Sequence, residues 1–207
     1  MAELRDPLPR PSPLGDLLTG REPKPDSGPA AVHLGERAAR VLWQLAAWRA
    51  ADVAPLRAIV AERLGLSLPE APESAAESDL VAFHIALRRW WLTAPAPGRQ
   101  LDAGLADALA GRAALTDLSH ARTVLRLTGA ASRTTLAKLC RIDLHPQAFP
   151  PGRAAQTALG QVAALIHALD SAPGFDLYLP RSLARSATIS LIDAAAEFGL
   201  APGGRSD

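Results

Sequence analysis

Asp117-Leu-Ser-His-Ala-Arg-Thr-Val-Leu-Arg-Leu-Thr-Gly129, running on to Cys140-Arg-Ile-Asp-Leu-His-Pro146, holds the densest set of polar, structure-forming residues in the chain. Thr123 to Thr128 alternates as a strand does. Gly129 makes a turn, and Leu136 and Leu139 then lie at helical spacing, predicting a short helix over 130–139. A second polar turn follows at Asp143 to Pro146. Leu115 to Leu118 reads as another strand, meeting Thr123 to Thr128 at a tight turn near His120.

Outward from this stretch, helix and strand patterns mix. Residues 36–50 fit either type, since Val41, Leu42, Leu45 and Trp48 suit a helix face and Val41, Trp43 and Leu45 suit a strand. Leu56, Ile59, Val60 and Leu64 mark a helix with Asp52 at its start and Gly65 at its stop. Residues 66–79, with Pro69, Pro72 and only acidic charges, read as a solvated loop. Leu80 to Ala86 predicts a strand, 93–98 a turn, Leu101 to Leu109 a helix ended by Gly111, and Phe149 to Gly152 a turn. Gln156 to Leu169 holds one or two strands bent at Gly160, and Phe175 to Leu179 another. Arg181 to Phe198 is the longest helical pattern, ended by Gly199. Several consecutive strands among separate helices imply an α+β fold, a mainly antiparallel sheet with covering helices. The expected organisation is an extended proline-rich arm over 1–32, one α+β domain over 33–200, and a frayed C-terminus over 201–207. The arm holds seven of the 18 prolines. Leu14 is the apolar tip that anchors it.

Composition bounds the chemistry. The 207 residues are 48% hydrophobic but only 4% aromatic, so the core is built from Leu, Ala, Val and Ile. A formal charge of +1, from 22 basic and 21 acidic residues, offers no steering toward nucleic acid or an anionic membrane. The single cysteine, Cys140, has no partner for an internal disulfide, which fits a cytoplasmic chain. Glu3, Asp6 and four early prolines argue against a signal peptide, and no window has the apolar length of a membrane helix.

The reactive residues do not form a recognisable catalytic motif. Cys140, Asp143 and His145 offer three donors without the spacing of a zinc site. Ser119 and His120 are adjacent, so their side chains diverge on a strand, and no local motif announces a triad. Asp117, Ser119, His120, Asp143 and His145 therefore read as turn and strand-end fixtures, with Gly129 as a turn. Ser182 is placed to cap the last helix. No glycine-rich phosphate loop follows a strand. Trp90 and Trp91, beside Arg88 and Arg89, fit an interface or a core, with one ring on each side of an extended segment. Arg181 opens the last helix, where its charge is not favoured by the helix dipole. Together with Arg185 one turn on, it reads as a contact to a carboxylate on another element or chain.

At these residues a family is recognisable. Asp117-Leu-Ser-His120, Val124-Leu-Arg-Leu-Thr-Gly129, Leu136-Ala-Lys-Leu-Cys140 and Ile142-Asp-Leu-His-Pro146 resemble the gamma subunits of heterotetrameric sarcosine oxidases. Phe149, Gly152, Thr157, Arg181-Ser-Leu-Ala184 and Ser186 continue the resemblance. It is good from Leu115 to Gly199, looser from Glu36 to Leu92, and does not cover the arm. The resemblance implies a fold similar to the N-terminal part of the aminomethyltransferase (glycine-cleavage T-protein) family. It also implies alpha, beta and delta partner subunits that hold FAD, FMN, NAD, tetrahydrofolate and zinc, and a gamma chain that holds no cofactor and serves assembly. Trp90, Trp91, Arg181, Arg185 and Leu14 are then candidate interface residues. Folate-using transferases carry an acid after a glycine-containing hairpin, whereas Ala158-Leu-Gly-Gln-Val-Ala-Ala-Leu165 has none. A solitary folate-binding one-carbon transferase, or an assembly factor of the same fold, stands as the alternative.

Overall fold

The computed structural model describes residues 11–18, 30–38, 40–71, 73–96, 103–170 and 173–202. The strands are β1 (Val32–Glu36), β2 (Arg40–Ala47), β3 (Ser74–Glu77), β4 (Leu80–Ala86), β5 (Arg89–Pro95), β6 (Ala113–Asp117), β7 (Arg122–Thr128), β8 (Ala154–Leu159), β9 (Val162–Ala168), β10 (Gly174–Pro180) and β11 (Leu200–Pro202). The helices are α1 (Val53–Leu64), α2 (Ala103–Ala108), α3 (Ser132–Ala137) and α4 (Ala184–Ala195). Two sheets result. One has the order β11-β1-β7-β10-β9-β8, the other β3-β4-β5-β2-β6. Their pairings are antiparallel, except that β11 runs parallel to β1.

Strand alternation sorts the side chains into three cores. Leu42, Phe83 and Trp91 from the five-stranded sheet meet Val124, Leu165 and Tyr178 from the six-stranded sheet, so the inner faces pack together. The outer face of the five-stranded sheet packs Leu45, Trp90 and Leu92 against Leu56 and Val60 of α1 and Leu105 of α2. The outer face of the other sheet packs Leu125, Leu127 and Leu177 against Leu136 of α3 and Ala187 and Leu191 of α4. The order of layers is helix, sheet, sheet, helix. Central strands are covered on both sides, which is why β5 and β10 are buried along nearly their whole length.

The two-sheet arrangement corrects the expected hairpin in the opening stretch. β6 and β7 do not pair with each other. β6 lies beside β2 and β7 between β1 and β10, so residues 118–121 carry the chain from one sheet to the other. Nor are residues 66–79 simply a solvated loop, because Leu66 and Leu68 are buried under α1 and Ser74–Glu77 forms β3. Arg40–Ala47 is a strand, which resolves the ambiguity over 36–50. The segment taken as a turn after Leu92 is strand through Pro95. Leu101 and the turn residues Pro97 and Gly98 lie outside the described residues.

Gly129 ends β7 with φ +107°, and a Cβ there would stand 2.4 Å from the carbonyl oxygen of Ala31. The close approach belongs to the crossing where Ala131 N–H donates to that same oxygen at 3.0 Å. Gly129→Ala combines disfavoured backbone with a backbone clash, and is expected to cost at least about 2 kcal/mol. Urea denaturation of the variant beside the wild type measures this loss.

Candidate functional site: a hairpin without an acid and a buried charge cluster

The turn of the opening stretch is built from its own polar side chains. Asp117 Oδ1 accepts from Ser119 N–H at 2.8 Å. Ser119 Oγ accepts from Leu42 N–H at 2.9 Å, replacing the backbone acceptor that β2 loses as the chain leaves for β7. His120 is exposed beside Arg181 and Ser182. Asp143 Oδ1 accepts from His145 N–H at 2.8 Å in a second exposed turn, and His145 Nδ1 accepts from Gln147 N–H at 3.3 Å. Cys140 is buried, and burial raises its thiol above the ordinary range. The Asp117–His120 and Asp143–His145 groups thus make two separate turns, each held by its own local hydrogen bonds. Among the described residues no three His, Cys, Asp or Glu side chains gather as a metal site.

Both tryptophans of the pair are enclosed. Trp90 and Trp91 point to opposite faces of β5 as alternation requires, yet are only 1% and 5% exposed because each face is covered. Trp90 Nε1 donates to Pro69 O at 2.9 Å, and Trp91 Nε1 to Gln44 Oε1 at 3.3 Å. Part of the arm is packed on its own chain. Leu14 is 2% exposed in the core beneath α4, with Leu17 and Leu18 beside it. Arg181 donates to the carbonyl of Pro11 and Arg185 to that of Leu14. Burying one leucine of this kind contributes roughly 1.5–3 kcal/mol. Ser182 sits within a 3₁₀ turn, Arg181–Leu183, and α4 begins at Ala184 without a side-chain cap.

The hairpin of β8 and β9 pairs Leu159 with Val162 around Gly160-Gln161, with Gly160 at φ +60°. Position 163 faces solvent and position 164 the outer core, and both are alanine. No carboxyl group stands there to exchange a proton.

Sequence reasoning missed the charged cluster between the sheets. Asp176 on β10 is 4% exposed. Arg126 on β7 meets it with two bonds, Nε to Oδ1 at 2.8 Å and Nη2 to Oδ2 at 2.9 Å, and Arg37 Nη1 approaches Oδ2 at 3.2 Å. Burial raises the Asp176 carboxyl above its ordinary range, against the downward pull of Arg126. Tyr178, fully enclosed, is pushed well up by burial and by the Asp176 charge. His167 faces Asp176 across the β9–β10 pair and lies 3.1 Å from Ser74 Oγ. Ser74 Oγ also donates to Gly152 O at 2.6 Å. The serine proton is therefore directed at a carbonyl, and the histidine proton at the serine, which opposes activation of Ser74 as a nucleophile. The sequence signal for the cluster was a lone Asp inside the apolar run Phe175 to Leu179.

The two-sheet architecture is that of the aminomethyltransferase-like fold. A family model described as GCVT N-terminal domain matches residues 34–206. Sarcosine oxidase subunit gamma of Corynebacterium sp. (strain P-1) is 34% identical over 148 residues, 70% of this chain and 72% of that protein. Its counterpart from Arthrobacter sp. is 38% identical over 103 residues, covering 49% of this chain and 50% of that protein. A chain of the heterotetrameric sarcosine oxidase from Corynebacterium sp. U-96, solved with pyrrole 2-carboxylate, superposes with TM-score 0.77 and 28% identity. That match covers 91% of this chain and 96% of the other. Aminomethyltransferase T of the glycine cleavage system from Bartonella henselae shares the fold, with TM-score 0.58 and 18% identity over 85% of this chain and 48% of that one. The chain belongs to the sarcosine oxidase gamma-subunit family, within the GCVT N-terminal domain family. Among the described residues no helix is long and apolar enough to cross a membrane.

Burial holds His167 down at about 4, from an ordinary 6.5, against the opposing charges of Asp176 and Asp170. Between those values the unfolded chain binds the extra proton, so stability falls as pH drops through this window. Asp176, shifted upward, acts with the opposite sign above its ordinary value of 3.8. His167→Gln keeps a donor for Ser74 and is expected to remove the histidine contribution, at most roughly 3 kcal/mol. Urea denaturation of both proteins over that pH range measures the change in slope.

Proposed function

We propose that this chain is the noncatalytic gamma subunit of a heterotetrameric flavoprotein that oxidatively demethylates sarcosine or a related N-methyl amine. The observation that carries the reading is the end-to-end superposition on one chain of a heterotetrameric sarcosine oxidase. Its companion is the β8–β9 hairpin, where alanines stand at the place expected for a transferase's acid. A one-carbon transfer that needs a proton acceptor at that hairpin has no group to use.

In this reading alpha, beta and delta subunits carry the FAD, FMN, NAD, tetrahydrofolate and zinc, and the complex works in the cytoplasm. The domain over residues 33–200 supplies a rigid four-layer body, and the arm is its contact with a larger subunit. Leu14, Arg181 and Arg185 serve that contact by anchoring residues 11–18 to the body. Trp90 and Trp91 serve it indirectly, by holding the five-stranded sheet between its two covering layers.

A tagged chain isolated from its native host is expected to bring down three further polypeptides and the visible absorbance of oxidised flavin. Removing residues 1–30, or Arg181→Ala, is expected to lower recovery of the partners while far-UV circular dichroism stays that of a folded protein. Undiminished assembly in both variants would remove the arm from the interface. A calorimetric titration of the isolated chain with tetrahydrofolate is expected to be flat, and saturable heat would restore the transferase alternative.

A further inference from the structure

Between β1 and β2 on one side and β7 on the other lies a small cleft, partly open to solvent. Arg37, Arg40, Arg122 and Arg181 all line it, and Glu36 is the acid on its wall. Glu36 is not paired with Arg122 among the described residues. Both oxygens of Glu36 are taken by hydroxyl groups, those of Ser12 and Thr123. Arg37 gives Nη1 to Asp176, but its Nε is buried without a hydrogen-bond partner. Arg40 Nε donates to Thr93 Oγ1 at 3.1 Å, and Arg181 reaches only a neutral carbonyl.

Arg122 is the group left over. Its Nε is buried and unpartnered, and it pairs with no acid among the described residues. The guanidinium lies over the Trp91 ring, 5.0 Å from its centre, a contact that leaves the in-plane N–H donors unused. Burial also lowers its pKa.

We infer that the cleft is a carboxylate-binding site in which Arg122 is the principal cation, flanked by Arg37 and Arg181. A guanidinium presents two parallel donors that match a planar carboxylate. Phosphate also fits that fork, but Glu36 on the same wall opposes a multiply charged anion more than a singly charged one. Leu42, Ala38 and Val124 complete a small, partly apolar wall. The carboxylate has two possible sources, a free small organic acid or an acidic side chain of a partner subunit. The first does not depend on the proposed assembly role; the second rests on it.

The test has two arms. In the first, the purified full chain is titrated with sodium acetate and sodium malonate, with sodium chloride holding ionic strength constant. The thermal midpoint and tryptophan fluorescence are followed, because Trp91 lies under Arg122. A saturable response in the wild type and in the surface control Arg141→Gln, weakened about tenfold or more in Arg122→Gln, assigns a free carboxylate. In the second arm, partner recovery from the native host is compared for the same proteins. An isolated chain indifferent to both acids, with recovery lowered by Arg122→Gln and partly restored by Arg122→Lys, assigns a partner's acidic side chain. Arg122→Met, which keeps an apolar stem on Trp91, repeats both arms if the glutamine variant does not fold. Neutral variants that match the wild type in both arms would overturn the inference.

Discussion

The contact between the inner faces of the two sheets sets the positions of everything else. Phe83 stands at its centre, edge-on to Tyr178 at 5.2 Å and to His167 at 5.0 Å. Leu42 and Trp91 flank it from one sheet, Val124 and Leu165 from the other. With both inner faces joined, each outer face needs helices, and α1 to α4 divide into the two layers that supply them. The chain must also change sheet between β1 and β2 and at 118–121. The second crossing holds Ser119 and His120, two of the side chains that looked chemical.

A buried carboxylate in the middle of an apolar interface needs matched partners. Asp176 has them in Arg126 and Arg37, the one bidentate across the β7–β10 pair, the other beside the first crossing. The cluster ties β10, β7 and the β1–β2 connection together from inside. His167 and Ser74 do the same at the far edge, where Ser74 N–H and Oγ both donate to Gly152 O and an isolated bridge joins Glu73 to Arg153. These groups resemble catalytic types, yet each is held by neighbours in the fold.

The segment 11–18 is the described part of the proline-rich arm. Its composition implies an extended arm. Leu14 nevertheless fills a place in the core beneath α4, and Ser12 turns the chain by accepting from Leu14 N–H at 3.1 Å. Arg181 and Arg185 take up backbone carbonyls of this segment, where the sequence suggested a carboxylate of another element or chain. An arginine at a helix start has five donors to place and no favourable dipole nearby, and the docked loop offers a backbone carbonyl to each of the two.

By itself the sequence determined the periodicities of β7, β9, β10, α1 and α4, the turns at Asp117–Ser119 and Asp143–His145, the alanine-bearing hairpin, and the family. These are local properties, carried by spacing and by short side chains bonding to their own backbone. Tertiary structure alone decided that β6 and β7 lie in different sheets, since a two-residue alternation cannot say which strand is its neighbour. It also decided that Trp90 and Trp91 are both enclosed, because alternation assigns faces but not what covers them. The Asp176 cluster belongs to the same class. Arg37, Arg126 and Asp176 are separated by up to 139 positions, and only the joining of two sheets brings their charges within hydrogen-bonding distance.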